Sequence, residues 1–485
     1  MSAPALDRAT MRWYGIGQAA EGIKNYSFAV FLLFYFNQVL GLSGTMCGVA
    51  LAIALAFDAV TDPLAGTLSD RLESRWGRRH PFMYAAALPL GFFFAILFTP
   101  PESLGEWGLF CWLTGFAVLT RFSMTLYHVP HMALGAELTD DYDARSRVVL
   151  IRSLGSFVGT AFAVTAAYLY YMRPTEAYPD GRLNPEAYPA YALFAAVLMA
   201  VSILASAAGT HRRIPFLPGP DEERGDERIV TRVVQDIRAA LQVAPFRSLT
   251  AASLLIFTAG GVANNLGLHS GIYFWRISTE ETLLYGAFLG VGTVVGMIFW
   301  TRVSQRLDKK PTFLIGLGLF IVFVSLPPIC KALGWFPARE SDAYLPLFFT
   351  FGALFSFGIA GPTIMGGSMM ADITDADELE SGRRREGIFF GAVALIAKAS
   401  IALGSMIAGV VVDLVGLVPG TDPSEVTQQV ANRLGLVQGF TLLILVGVSS
   451  LALARYDLSR EAYQRIRQQL DERAAADDGT QEKPR

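Results

Sequence analysis

Charge is what this chain has least of for its length. Of 485 residues only 17% are Asp, Glu, Lys or Arg, against about a quarter in a soluble globular chain. That scarcity excludes a set of water-soluble domains, although the length alone would leave room for three. Cysteine is nearly absent as well. Cys47, Cys111 and Cys330 are scattered through apolar surroundings, so neither a disulfide framework nor a zinc cluster is implied. There is no excess of basic residues: the formal net charge is −3, which argues against a nucleic-acid partner. The start of the chain lacks the cleavage site of a secretory signal. Asp7, Arg8 and Arg12 lead straight into an apolar stretch expected to direct insertion itself. No nucleophile elbow, zincin string or phosphate-cradling loop occurs, and the chain is therefore not expected to be an enzyme.

What the sequence has instead is apolar residues, 53% of the total, with a mean hydropathy of +0.41. They recur in runs long enough to cross a bilayer core about 30 Å thick. Twelve spans are expected, near 14–40, 46–69, 82–100, 107–130, 148–171, 190–209, 248–272, 282–302, 312–331, 344–370, 387–412 and 434–454. This predicts an all-α membrane protein. Arginine and lysine fill alternate short loops: Arg71, Arg75, Arg78 and Arg79, then Arg302, Arg306, Lys309 and Lys310, then Arg383, Arg384 and Arg385. The loops near 41–45 and 101–106 have none. By the positive-inside rule both termini are expected in the cytoplasm of a cell whose inner membrane holds the chain. Residues 211–247 read as a cytoplasmic linker, turn-rich at Pro215, Pro218 and Pro220, then amphipathic at Ile229, Val233, Ile237 and Leu241. A charged tail follows 455, with a short helix expected near 459–474.

The two halves, 1–210 and 248–455, echo one another. TLSDRLESRWGRRHPFMY at 67–84 is answered by VSQRLDKKPTFLIG at 303–316, and GAELTDDYDARSR at 135–147 by MADITDADELESGRRRE at 370–386. Parallel repeats of six helices describe the major facilitator architecture, whose substrate site lies at the midplane between halves. The repeat fails at one place. Aligned on SDRL and SQRL, Asp58 and Asp62 fall opposite Thr293 and Met297, and acids present in only one half are hard to explain as scaffold.

Asp58 and Asp62 stand one turn apart, so with Thr61 they share a helix face. If that helix begins near Met46, Asp58 lies roughly 18 Å along its axis, near the middle of the bilayer. Two acids there cost several kcal/mol unless a cation or proton compensates them. Thr125 on the fourth span is a candidate hydroxyl ligand. Oxygen ligands suit a hard cation such as sodium, whereas a buried acid pair also suits a proton. The plain alternative is one acid in a structural ion pair and the other near the surface. Lys398 lies equally deep in FFGAVALIAKASIALGS, with Asp58 or Asp62 as its obvious partner. Arg152, just inside the fifth span, could gate the mouth, bind an anionic group or simply snorkel. His128 and His131 share a face, yet no Cys or acid at ligand spacing stands beside them, so His128 reads as a hydrogen-bonding group for substrate. Asp70, Arg71, Arg78, Arg79, Glu137, Asp140, Asp372 and Asp375 read as cytoplasmic latches.

FDAVTDPLAG followed by RWGRRHP resembles the glycoside–pentoside–hexuronide cation symporters, the melibiose-permease branch of the major facilitator superfamily. The resemblance extends through HVP, AELTDDYDARSR and the lysine of the eleventh span. It implies that Asp58, Thr61, Asp62 and Thr125 bind sodium or a proton, that Lys398 stands between cation and sugar, and that Arg152 touches the sugar. Two departures stand out. The family's sugar-binding aspartates of the first and fourth helices fall here near Gly22, with Glu21 and Lys24 close by, and on His128. The HVP string is also similar to the vertebrate sodium-dependent lysophosphatidylcholine symporters. The expectation is a secondary transporter that moves a glycoside or sugar-like solute with sodium or a proton; a lysophospholipid or other amphiphile is the alternative cargo. The coupling ion is the sole expected cofactor, the lipid bilayer the surroundings and the monomer the working unit.

Overall fold

A computed structural model describes residues 6–139, 141–219, 235, 237–383 and 385–481. The described chain is helical almost throughout. The first span is built in pieces: α1 (Arg8–Gly17), α2 (Ala19–Tyr26) and α3 (Leu32–Phe34), joined and ended by π turns at Ser27–Phe31 and Tyr35–Val39. Asp7 starts it by accepting the Thr10 backbone N–H at 2.6 Å. Then come α4 (Gly44–Arg71), α5 (His80–Leu97), α6 (Glu106–Glu137), α7 (Tyr142–Ala166), α8 (Ala187–Thr210), α9 (Ala244–His269) and α10 (Thr279–Arg306). The rest are α11 (Lys309–Ala332), α12 (Tyr344–Ser381), α13 (Glu386–Val415), α14 (Gln428–Ala454) and α15 (Arg460–Gln481).

Eleven of these helices are long and apolar enough to cross a membrane, and the broken first run is long enough to make a twelfth. The chain is a multi-pass integral membrane protein. Every span expected from hydropathy falls on a helix. Ends differ most where a helix leaves the lipid: α12 has 38 residues, about 57 Å of helix against a 30 Å core. It therefore carries Asp372, Asp375 and Asp377 past the apolar zone and stops at Gly382, whose φ of 68° is the left-handed turn that glycine adopts freely.

The chain divides into two compact units. The first comprises Met1–Ile229, Gly261–Leu283 and Ala402–Ala431; the second comprises Val230–Gly260, Leu284–Ile401 and Asn432–Arg485. In the first unit α4 packs on α6, α5 on α6 and α8, and the α1–α2 run on α7 and α8. Small residues set the distance of α1 and α2 from α7: a Cβ at Gly22 would meet the Ser156 carbonyl oxygen, and one at Gly155 the Gly15 carbonyl oxygen. Buried Phe31, Tyr188 and Tyr191 fill the space between α2, α3 and α8. Leu150, Leu154, Phe157, Val158 and Phe162 on α7 point outward and exposed, the side a lipid tail would cover. Asp413 of α13 closes the start of α4, accepting the Gly44 and Thr45 N–H groups, each at 2.7 Å.

In the second unit α11 lies along α12, and Trp300 of α10 donates to the Phe357 carbonyl at 2.8 Å. Val291, Val294, Val295 and Ile298 give α10 an exposed apolar face. The tail helix, expected near 459–474, runs on to Gln481, and it docks on α12. Within the expected linker helix, Ile229 and Val233 lie outside the described residues, as do Asp140 and Arg384.

Candidate cation and solute site

The serine cap explains where the acids sit. Ser43 accepts the Met46 N–H and starts α4 at Gly44, so Asp58 lies about 21 Å along a helix of 28 residues, at its middle. Asp58 and Thr61 are buried and Asp62 is half-buried. The next helix but one, α6, runs beside α4 in the same direction, and residues meet at a constant offset. Arg121 Nη2 donates to Asp58 Oδ2. One turn on, Thr125 Oγ1 donates to Asp62 Oδ1 at 2.7 Å. A further turn on, a Cβ at Gly66 would touch Val129 Cγ1 at 3.6 Å. Helix periodicity on both sides thus builds a ladder whose rungs are Asp58–Arg121 and Asp62–Thr125.

Arg121 is the residue that sequence reasoning misses. It is 9% exposed, and its Cζ lies 5.7 Å from the Phe28 ring centroid. Lys24 Nζ stands 5.8 Å from that same ring centroid and is buried too. A signal for Arg121 did exist: it precedes Thr125 by four residues, as Asp58 precedes Asp62, deep in a membrane span. The structure pairs Asp58 with this arginine of its neighbouring helix, and Lys398 is half-buried on α13, about 18 Å along the axis from Glu386. Thr61 donates its hydroxyl to the Phe57 carbonyl at 3.1 Å, one turn back, which leaves the oxygen lone pairs able to accept.

The two histidines diverge. His131 is fully buried, stacks on Tyr14 with centroids 4.2 Å apart and makes a 3.0 Å hydrogen bond to the Tyr14 carbonyl. His128 instead brings Nδ1 to 3.6 Å from Glu21 Oε2, both side chains partly open. Among the described residues no group of three or more His, Cys, Asp or Glu could hold a metal ion. Arg152 donates to Met132 Sδ at 2.8 Å from half-buried surroundings. Gly22, the place of a family aspartate, is spent on packing: its α-carbon faces α7 backbone, so no carboxylate fits there.

The latch residues fall into two clusters, one described in each unit. Arg79, almost fully buried, reaches Asp70 at 2.5 Å, Glu137 at 2.7 Å and Ser69 Oγ at 2.6 Å, and Arg78 adds a 2.8 Å contact to Glu137. Arg71 ends α4 beside this cluster in the sequence. In the second unit Lys309 pairs with Asp372 at 2.6 Å, and Arg385 holds Asp377. Asp375 takes partners from the tail: the Tyr463 hydroxyl at 3.0 Å and Arg467 at 3.6 Å. Burial and the nearby Asp375 carboxylate raise the Tyr463 hydroxyl to a pKa of about 12.

Residues 13–460 match the family model described as MFS/sugar transport protein. The chain is 24% identical to an uncharacterized symporter of Synechocystis, over 98% of both chains. It is equally 24% identical to the glucuronide carrier protein homolog of Escherichia coli, over 96% of both. Among solved structures it resembles the nucleoside transporter NupG, with a TM-score of 0.62 at 12% identity, covering 93% of this chain and all of that one. That likeness shows the fold.

Proposed function

This chain belongs to the MFS/sugar transport protein family, of the glycoside–pentoside–hexuronide symporter type, and from that premise we propose that it couples a glycoside or sugar-like solute to a monovalent cation, sodium or a proton. Transport runs by alternating access, with both termini in the cytoplasm and the chain in the inner membrane. The observation that carries this reading is the ladder of Asp58, Asp62, Arg121 and Thr125 at mid-span. A packing role alone does not require two acids at a depth where each costs several kcal/mol.

The chemistry follows from the order of the wall. Asp62, with the hydroxyls of Thr61 and Thr125 beside it, offers oxygens to a coupling cation. Glu21, His128 and Arg152 present acceptors and donors suited to a polyol, and the Phe28 ring supplies an apolar face for a pyranose. The glucuronide carrier homologue supports the sugar class. Cation binding lowers the cost of the acids, so cation and solute raise each other's affinity by one common factor. Uptake by the purified protein in liposomes tests this, under an inward sodium or proton gradient, against neutral glycosides, glucuronides and lysophosphatidylcholine. Concentrative uptake of a glycoside that collapses with the gradient is the expected result. Accumulation of the lysolipid without any glycoside would replace the cargo class, and no accumulation under either gradient would refute symport.

A further inference from the structure

We propose that Arg121 is a resident cation that keeps sodium off Asp58 and so sets the ion selectivity of this transporter. The inference rests on the symport reading above and narrows it. Four groups were available to wrap a sodium ion: Asp58, Thr61, Asp62 and Thr125. In the structure the guanidinium of Arg121 holds Asp58 Oδ2, the place a metal ion would need. Arg121 is not a passing surface contact. Its side chain is buried to the same degree as its partner, and its Nε has no hydrogen-bond acceptor among the described residues. The guanidinium is held in place by the register of two helices, and by the Phe28 ring 5.7 Å from Cζ.

Charge makes the exclusion strong. Residues four apart on a helix have Cβ atoms about 5–6 Å apart, so a sodium ion between Asp58 and Asp62 would lie roughly 5 Å from a permanent positive charge. At an effective dielectric near 20, repulsion at that distance weakens binding by about two orders of magnitude. Arginine does not relieve this by losing its proton. The ladder also explains why one acid is matched by an arginine and its neighbour by a threonine: Asp58 carries the fixed cation, and Asp62 with Thr125 remains for the mobile one.

The test uses the purified full-length protein in detergent and sodium ion as the probe. NaCl is titrated against choline chloride at constant ionic strength, reading melting temperature and heat of binding. Wild type and R121K should show no sodium-specific shift. R121Q frees Asp58 and should gain one, with sodium affinity at least 100-fold tighter than wild type, and the double change D58N/R121Q should lose it again. A sodium-specific shift in wild type, or a folded R121Q indifferent to sodium, overturns the proposal. If R121Q does not fold, the wild-type titration still decides, together with liposome uptake: transport that needs sodium refutes the proposal, and transport at full rate with choline in place of sodium supports it. The two readings fail separately. Absence of any concentrative uptake sinks symport, whereas sodium-dependent uptake leaves symport standing and sinks the role of Arg121.

Discussion

Replacing Arg79 with alanine should cost more than any other single change in the latch residues. Arg79 is 4% exposed and is the hub of its cluster. Its Nη2 meets Asp70 at 2.5 Å and Glu137 at 2.7 Å, its Nε meets Glu137 at 3.1 Å, and its Nη1 donates to Ser69 at 2.6 Å. Truncation leaves two poorly solvated carboxylates facing the gap. Removing one partner of a buried pair typically costs about 3–5 kcal/mol. Arg78 still reaches Glu137 at 2.8 Å, so the low end, about 3 kcal/mol, is expected. For a chain of this size that amounts to a fall in melting temperature of roughly 3–6 °C. The assay is thermal unfolding in detergent, followed by the loss of the monodisperse peak on size exclusion. Arg79→Lys keeps the charge and loses the planar fork that serves three acceptors, so it should recover only part of the loss. Arg79→Ala melting within 1 °C of wild type would refute the reasoning. The cluster would then be a set of screened surface charges, each worth about 0–1 kcal/mol.

Two further outcomes follow from the same geometry. Thr125→Val keeps the shape of the side chain and removes the donor to Asp62; a hydrogen bond to a charged group contributes about 1.5–3 kcal/mol, so the melting temperature should fall by roughly 2–6 °C and cation-dependent uptake should fall with it, as measured side by side in detergent and liposomes. Gly22→Asp restores a family carboxylate in sequence, yet its Cβ would run into the Ser156 carbonyl, so expression and melting temperature should drop with no gain in glycoside binding.

Twelve spans, their order and the side-by-side acids were legible in the sequence because their causes are local. An apolar run of spanning length must fold as a helix in lipid, where backbone groups have no water to bond. The fixed pitch of that helix puts Asp58, Thr61 and Asp62 on one face wherever the helix ends. The caps at Asp7 and Ser43 are equally local. Overrun of α12 to Ser381 was not legible from apolarity, since its last turns are acidic and are helical by continuation and by the Gly382 stop.

Tertiary structure alone decided which residues those faces meet. Arg121 pairs with Asp58 because α4 and α6 lie parallel in one register, and a shift of one residue along either helix would point the guanidinium about 100° away. The same holds for the tail. Tyr463 and Arg467 look like ordinary solvated residues in the sequence, and become partners of Asp375 only because α12 outruns the membrane far enough to meet α15. Gly22 is decided in the same way: its lack of a side chain is visible in the sequence, but the Ser156 carbonyl that requires it belongs to a helix more than a hundred residues on. Helical periodicity fixes the face of each element from its own sequence, while the register between two helices is set by side chains far apart in the chain, and that register chose the partner of Asp58.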